Sequence, residues 1–314
     1  MKNIKLLILI IVTANTSSHA QTAGKYANVN GIKMYYEIHG AGTPLVLLHG
    51  GGSTIYTSFG RILPALAKTH EVIAVELQAH GHTGDRDAPE TFKQDADDVN
   101  ELLRQLNIPK ADLFGFSNGG QTALEMAIRH PDRINKLIVA SAFFKKDGVP
   151  GWFWKGFDNP RFSDMPQIYK DEYLKINPDS AALLNMFHKD VQRMQHFTDW
   201  KIEEIRSIQA PTLIVIGDQD IITPEHAVEM SRIIPHNQLV ILPGTHGKYL
   251  GEAATNDPDS KVPDLFVAIL NEFLAAPVVP PSSVGQGDQL SKGQLATQVG
   301  YDAFYFRLLA KRLL

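Results

Sequence analysis

The run Ala111-Asp112-Leu113-Phe114-Gly115-Phe116-Ser117-Asn118-Gly119-Gly120 changes its period in mid-course. Leu113, Phe114 and Phe116 read as a short buried strand, and from Thr122 through Leu124, Met126 and Ala127 the apolar residues follow helical spacing. A strand therefore turns sharply into a helix with Ser117 at the corner. The pentad Gly115-Phe116-Ser117-Asn118-Gly119 has the form G-x-S-x-G, in which a strained turn exposes the serine Oγ at a strand end. The residues two before and two after the serine lie against each other, so a Cβ at either place would clash and both are glycine. The helix N-terminus behind the serine supplies free N–H groups and a favourable dipole. By itself the pattern is weak, since a glycine-rich turn with an inert serine also produces it, so the rest of the chain has to supply the other parts.

Around this corner the alternation continues. Leu45–Leu48, His70–Glu76, Leu137–Ala140, Thr212–Ile216 and Gln238–Leu242 read as strands. Between them lie helical patterns near Ser58–Lys68, along Val99-Leu102-Leu103-Leu106, and beyond Pro224, which opens a helix capped by Thr223. Tyr26–Val29 and Ile32–Ile38 flank the Asn30-Gly31 turn signal and predict an antiparallel hairpin. The order predicts an α/β fold: a mostly parallel twisted sheet with helices on both faces and ligands bound at the carboxyl ends of the strands.

Those ends carry the remaining chemistry. His49-Gly50-Gly51-Gly52-Ser53 follows one strand, and its glycines suit a loop whose amides approach a ligand closely; Gly51 N–H and Asn118 N–H are assigned as oxyanion donors. Gly217-Asp218-Gln219-Asp220 follows the next-to-last strand, and Pro243-Gly244-Thr245-His246-Gly247 the last. The chain order serine, acid, histidine supplies what a nucleophilic Ser117 requires, with His246 as base and either Asp218 or Asp220 as its orienting acid. His80, His82 and Asp85 miss the H-x-H-x-D-H metal pattern and read as ordinary polar groups, so no metal or cofactor is expected. Asp95, Asp97 and Asp98 read as first-turn acids that complement a helix dipole.

Lys145 to Ile208 interrupts the alternation and contains all three tryptophans, Trp152, Trp154 and Trp200. It predicts a helical cap over the strand ends. Trp152, Trp154, Phe157 and Met186 are its candidate substrate contacts, in a pocket for a bulky, weakly charged molecule.

The 314 residues carry a net charge of −4 and no cysteine. This excludes thiol catalysis, thiolate metal sites and disulfides, and gives no sign of a nucleic-acid partner. Lys2 and Lys5, the apolar run Leu6–Val12 and Ser18-His19-Ala20 have the layout of a cleavable export signal, followed by a periplasmic or secreted chain without an obligate membrane anchor. The expected organisation is a signal peptide at 1–20, a core at 21–144 and 210–275, a cap at 145–209, and a flexible extension at 276–314. The extension's Pro- and Gly-rich start is linker-like, and its end, Tyr301–Leu314, has a basic amphipathic pattern.

Taken together, L-L-H-G-G-G-S, E-L-Q-A-H-G-H, G-F-S-N-G-G, G-D-Q-D-I-I-T-P and P-G-T-H-G resemble the α/β-hydrolase superfamily over nearly all of Lys25–Ala275. The resemblance implies Asp220, the second acid of G-D-x-D, as the triad member. It departs at Glu76, where relatives commonly carry aspartate, and at Gly52, which is not followed by the proline of carbon–carbon hydrolases. It implies a serine esterase or lactonase, with a carbon–carbon hydrolase or cofactor-free haloperoxidase as the enzymatic alternative and a ligand-binding receptor as the non-catalytic one. The chain also looks like exported hydrolases of Bacteroidetes-type bacteria, among them serine esterases that open macrolide lactones. That implies a small-molecule ester or lactone as partner.

Overall fold

A computed structural model describes residues 24–278. The expected signal peptide, and the extension from residue 279 onward, lie outside the described residues. The chain forms β1 (Lys25–Val29), β2 (Ile32–His39), β3 (Thr43–Leu48), α1 (Ile55–Phe59), α2 (Leu63–Leu66), β4 (His70–Val75), α3 (Phe92–Gln105), β5 (Ala111–Phe116), α4 (Asn118–Arg129) and β6 (Ile134–Ala140). After β6 come α5 (Gly151–Lys155), α6 (Gln167–Ile176), α7 (Ser180–Gln195) and α8 (Ile202–Arg206). The core then resumes with β7 (Thr212–Gly217), α9 (Pro224–Ile233), β8 (Asn237–Leu242) and α10 (Val262–Ala275).

The strands make one sheet in the order β1-β2-β4-β3-β5-β6-β7-β8. Only β1–β2 and β2–β4 pair antiparallel, and from β4 onward every neighbouring pair is parallel. The hairpin closes through Asn30 and Gly31, both at positive φ, as the N-G signal requires.

The inner strands are apolar on both faces because helices cover both. Val46, Leu48 and Leu113 point into one core with Val99, Leu103, Leu124 and Met230. Their neighbours Leu45, Leu47, Phe114 and Phe116 point into the other, against Phe59, Leu66, Phe266 and Leu270. Lys136 on β6 fixes the end of α10: its buried Nζ donates to the carbonyls of Phe273 (2.9 Å), Leu274 (2.5 Å) and Ala276 (2.5 Å). A cation there satisfies terminal carbonyls and meets the negative end of the helix dipole.

Two expectations are corrected. The helix predicted at Ser58–Lys68 is instead the pair α1 and α2, which starts earlier and breaks around Gly60. Pro64 has no N–H and would clash with the carbonyl of Gly60 in a continuous helix. The acids of α3 are not a dipole set. Asp95 alone lies in the first turn, and it is buried against Arg193, with Nη1 at 2.8 Å. Asp98 is buried against Arg86 at 2.6 Å, and Asp97 pairs with Arg129 and His130.

Candidate active site

Ser117 stands where β5 meets α4, with φ 53° and ψ −124°. No side chain adopts this conformation cheaply, and here the flanking strand and helix impose it. A Cβ on Gly115 would fall 2.0 Å from the Gly119 carbonyl oxygen, and one on Gly119 would fall 2.1 Å from that of Leu48. The two glycines are therefore obligatory. The corner is held from behind by Ser117 N–H donating to Ala140 O at 2.9 Å.

Ser117 Oγ lies 3.1 Å from His246 Nε2, and His246 Nδ1 lies 2.7 Å from Asp220 Oδ1. Asp218, the other acid weighed, instead accepts the Gly244 N–H at 2.8 Å and so shapes the loop that presents His246. Asp220 also accepts the N–H groups of Ile222 (3.1 Å) and Gly217 (3.3 Å) and the Ser141 hydroxyl (2.5 Å). Burial alone would raise its pKa, but the charge of His246 and these donors hold it below the ordinary carboxylate value. Burial alone would likewise lower the His246 pKa, but Asp220's charge and hydrogen bond outweigh burial and raise it.

Ser141 was not anticipated. It follows β6 as Ser117 follows β5, has φ 50°, and sits 2.6 Å from the Tyr249 hydroxyl as well as on Asp220. A serine directly after a buried strand was the available signal, and its lack of a glycine frame hid it.

The glycine loop after β3 lies beside Ser117, whose Cβ would be 3.3 Å from a Cβ on Gly50. His49 is buried; its Nδ1–H donates to Gly50 O at 2.7 Å and its Nε2 accepts Leu77 N–H at 3.0 Å. Burial pushes its pKa down to about 3, so the ring is neutral and structural. Among the described residues neither Gly51 N–H nor Asn118 N–H has an acceptor, whereas Gly50 N–H donates to Ser58 Oγ and Gly52 N–H to Asp190 Oδ2.

The cap meets this loop through residues the sequence did not single out. Asp190 on α7 takes the Gly52 N–H at 2.6 Å, and Met165 and Tyr169 border the space above Gly52. Tyr169 donates its hydroxyl to Glu252 at 2.7 Å. Glu252 is buried on the His246 side, and its pKa is raised by burial. Of the four candidate cap contacts, Trp152 stands 63% exposed on the surface. Trp154 and Phe157 pack in an aromatic cluster with Phe143, Phe153 and Phe197, and Trp154 Nε1–H donates to Lys146 O. Met186 is fully buried with Met165, Tyr173 and Leu183.

His80, His82 and Asp85 do not converge. His80 faces Asp190, His82 faces Glu76, and Asp85 binds Lys189 and Asn185. Among the described residues no group of three or more metal-ligating side chains is arranged to hold an ion.

Residues 43–164 match the family model described as the alpha/beta hydrolase fold. The chain is 30% identical over 245 residues to the serine hydrolase BPHL of Homo sapiens, covering 73% of this chain and 81% of that protein. It is 29% identical over 236 residues to 2-hydroxymuconate semialdehyde hydrolase of Pseudomonas sp. (strain CF600), covering 67% and 82%. Among solved structures, the enol-lactonase from Burkholderia xenovorans LB400 superposes with a TM-score of 0.62 at 21% identity, covering 80% of this chain and all of that one.

Proposed function

This chain belongs to the α/β-hydrolase family, and we propose that within it the protein cleaves a carboxylic ester or lactone through a serine-bound acyl-enzyme. The observation that carries the reading is the unbroken run from Ser117 Oγ through His246 to Asp220. Ser117 attacks the carbonyl carbon as its proton passes to His246 Nε2, and the developing imidazolium is stabilised by Asp220. The negative oxygen of the tetrahedral intermediate sits on the free N–H groups of Gly51 and Asn118. Collapse expels the alkoxide, which takes the proton from His246. Water, deprotonated by the same imidazole, then releases the acid and restores Ser117.

Carbon–carbon hydrolysis is the second reading, since one similar protein is named for 2-hydroxymuconate semialdehyde. A muconate-type substrate carries a carboxylate that calls for a cation. The buried cations beside this site, His80 and Arg193, are already engaged by Asp190 and Asp95. That favours an uncharged ester or lactone, of which a macrolide lactone is the largest member considered. Residues 1–20 support export, which N-terminal sequencing of the periplasmic chain would check.

The deciding experiment follows mass change on p-nitrophenyl esters, acyl lactones, a macrolide and a dienoate, with wild type and Ser117→Ala in parallel. The expected result is a gain of one water on esters or lactones, reduced at least about 10⁴-fold in folded Ser117→Ala. Cleavage of the dienoate alone would establish the second reading, and equal turnover by Ser117→Ala would refute both.

A further inference from the structure

Among the described residues, Asp190 is the one carboxylate of the cap that bonds the glycine loop. It lies on α7, only 14% of its side chain is exposed, and both oxygens are used. Oδ2 accepts Gly52 N–H at 2.6 Å, a donor that also lies 3.2 Å from His80 Nε2, and faces His80 Nε2 at 3.1 Å. Oδ1 accepts the Asn118 side-chain N–H at 3.4 Å and a hydrogen bond from Arg193. A Cβ on Gly51 would lie 2.4 Å from Asn118 Nδ2 and 3.3 Å from Asp190 Oδ2, so Gly51 is boxed in by these groups. One carboxylate thus grips the residue after one oxyanion donor and the side chain of the other.

A bare carboxylate in that place would oppose a developing oxyanion. This one is compensated. His80 donates Nδ1–H to Gln78 O at 2.7 Å, which leaves Nε2 facing Asp190. Arg193 is buried between Asp190, Asp95 (2.8 Å) and Glu90 (3.4 Å). Although burial opposes it, the charge of Asp190 lifts the His80 pKa to about 9, so the ring is a cation at neutral pH. Burial also raises Glu90 to about 8 against the pull of Arg193. With Glu90 protonated, two cations face two carboxylates, and the cluster as a whole is close to neutral.

We propose that Asp190 is a positioning residue of the hydrolytic reaction: through Gly52 N–H and the Asn118 side chain it fixes the glycine loop so that the Gly51 and Asn118 N–H groups converge on the oxyanion. The inference rests on the serine-hydrolase reading and deepens it. Because Asp190 belongs to the cap, the oxyanion site is complete only with α7 seated on the core. Removing the carboxylate leaves the nucleophile and base in place and loosens the donors, so the loss falls on the transition state rather than on substrate binding.

The test uses the full chain, with active sites counted by fluorophosphonate labelling and turnover followed on p-nitrophenyl acetate. Asp190→Asn is expected to lose about 10- to 100-fold in kcat per labelled site with KM within about twofold of wild type, a fraction of what deleting an oxyanion donor costs. Phenylboronic acid forms a tetrahedral adduct on the serine with an oxygen in the oxyanion site. Its affinity should fall in parallel with kcat/KM. If Asp190→Asn does not fold, Asp190→Glu keeps the charge beside His80 and Arg193, displaces it by one methylene, and should show the same pattern. Unchanged kcat and boronate affinity per labelled site, or a rise in KM alone, would overturn the role of Asp190 and leave the serine hydrolase standing. No labelling of wild type at Ser117 would overturn the serine-hydrolase reading and the proposal with it.

Discussion

At the scale of single residues, the site depends on how Asp220 and His246 perturb each other. Their hydrogen bond and opposite charges raise the imidazole's pKa above its ordinary 6.5. Only the neutral ring can take the Ser117 proton, so kcat/KM should climb with pH through a limb centred above 6.5. Asp220→Asn removes the charge that raises this pKa. The limb should move to lower pH while turnover drops roughly 10³- to 10⁴-fold, as read from full pH–rate profiles. A limb that stays in place would mean that Asp220 is not the group acting on His246. Ser117, His246 and the glycine loop could be read in the sequence because each has a local frame of glycines at a strand end. Asp218 and Asp220 could not be told apart by the residues alone, since both follow β7 and only the turn's path decides which one faces the imidazole. Asp190 could not be read at all: on α7 it looks like any helical surface acid paired with an arginine one turn on, and its burial arises from His80 and Gly52, which are distant in the chain.

At the scale of elements, the elbow is the most demanding joint. Strand, serine and helix close only because positions 115 and 119 lack side chains. Gly115→Ala would place a methyl 2.0 Å from a backbone oxygen that no rotamer change can move. The expected cost is about 3 kcal/mol, seen as a lower urea midpoint together with lost turnover, and a wild-type midpoint would contradict the close packing described. Element type was plain where the period was clean, as in α3 and the buried strands. It failed at Ser58–Lys68, where Pro64 and Gly60 divide an apolar stretch into α1 and α2. It also misjudged the acids of α3, because a first-turn position and a buried ion pair have the same local sequence. The cap's helices were anticipated from composition, but composition does not tell which aromatic faces outward, and Trp152 does.

At the scale of the whole molecule, the residues proposed for the reaction lie at the same edge of one sheet, because parallel strands present their carboxyl ends together. Ser117 follows β5, Ser141 follows β6, Asp220 follows β7, His246 follows β8, and the glycine loop follows β3. Beneath them the sheet carries a buried charge that the reaction does not use. Burial raises the Asp112 pKa to about 6, with Lys136 opposing the shift. The folded state therefore binds a proton more tightly than the unfolded chain, and stability falls as pH rises from about 4 to about 6, with the penalty persisting above. Asp112→Asn should accordingly gain on the order of 1–2 kcal/mol at pH 8 and close to nothing at pH 4, measured by urea unfolding at both. Equal gains at the two pH values would assign the effect to packing instead.

The position of the cap between β6 and β7 bears on how such a protein can change over generations. Parallel neighbours always need a crossover of a dozen or more residues, and here that crossover leaves the sheet after Ala140 and returns through α8 to Thr212. The cap is a lengthening of a connection the sheet requires in any case. Closing a loop of twice the length costs only about 0.6 kcal/mol more. A cap of another length can thus replace this one at little cost in loop closure, while the strands that precede Ser117, Asp220 and His246 keep their places in the sheet.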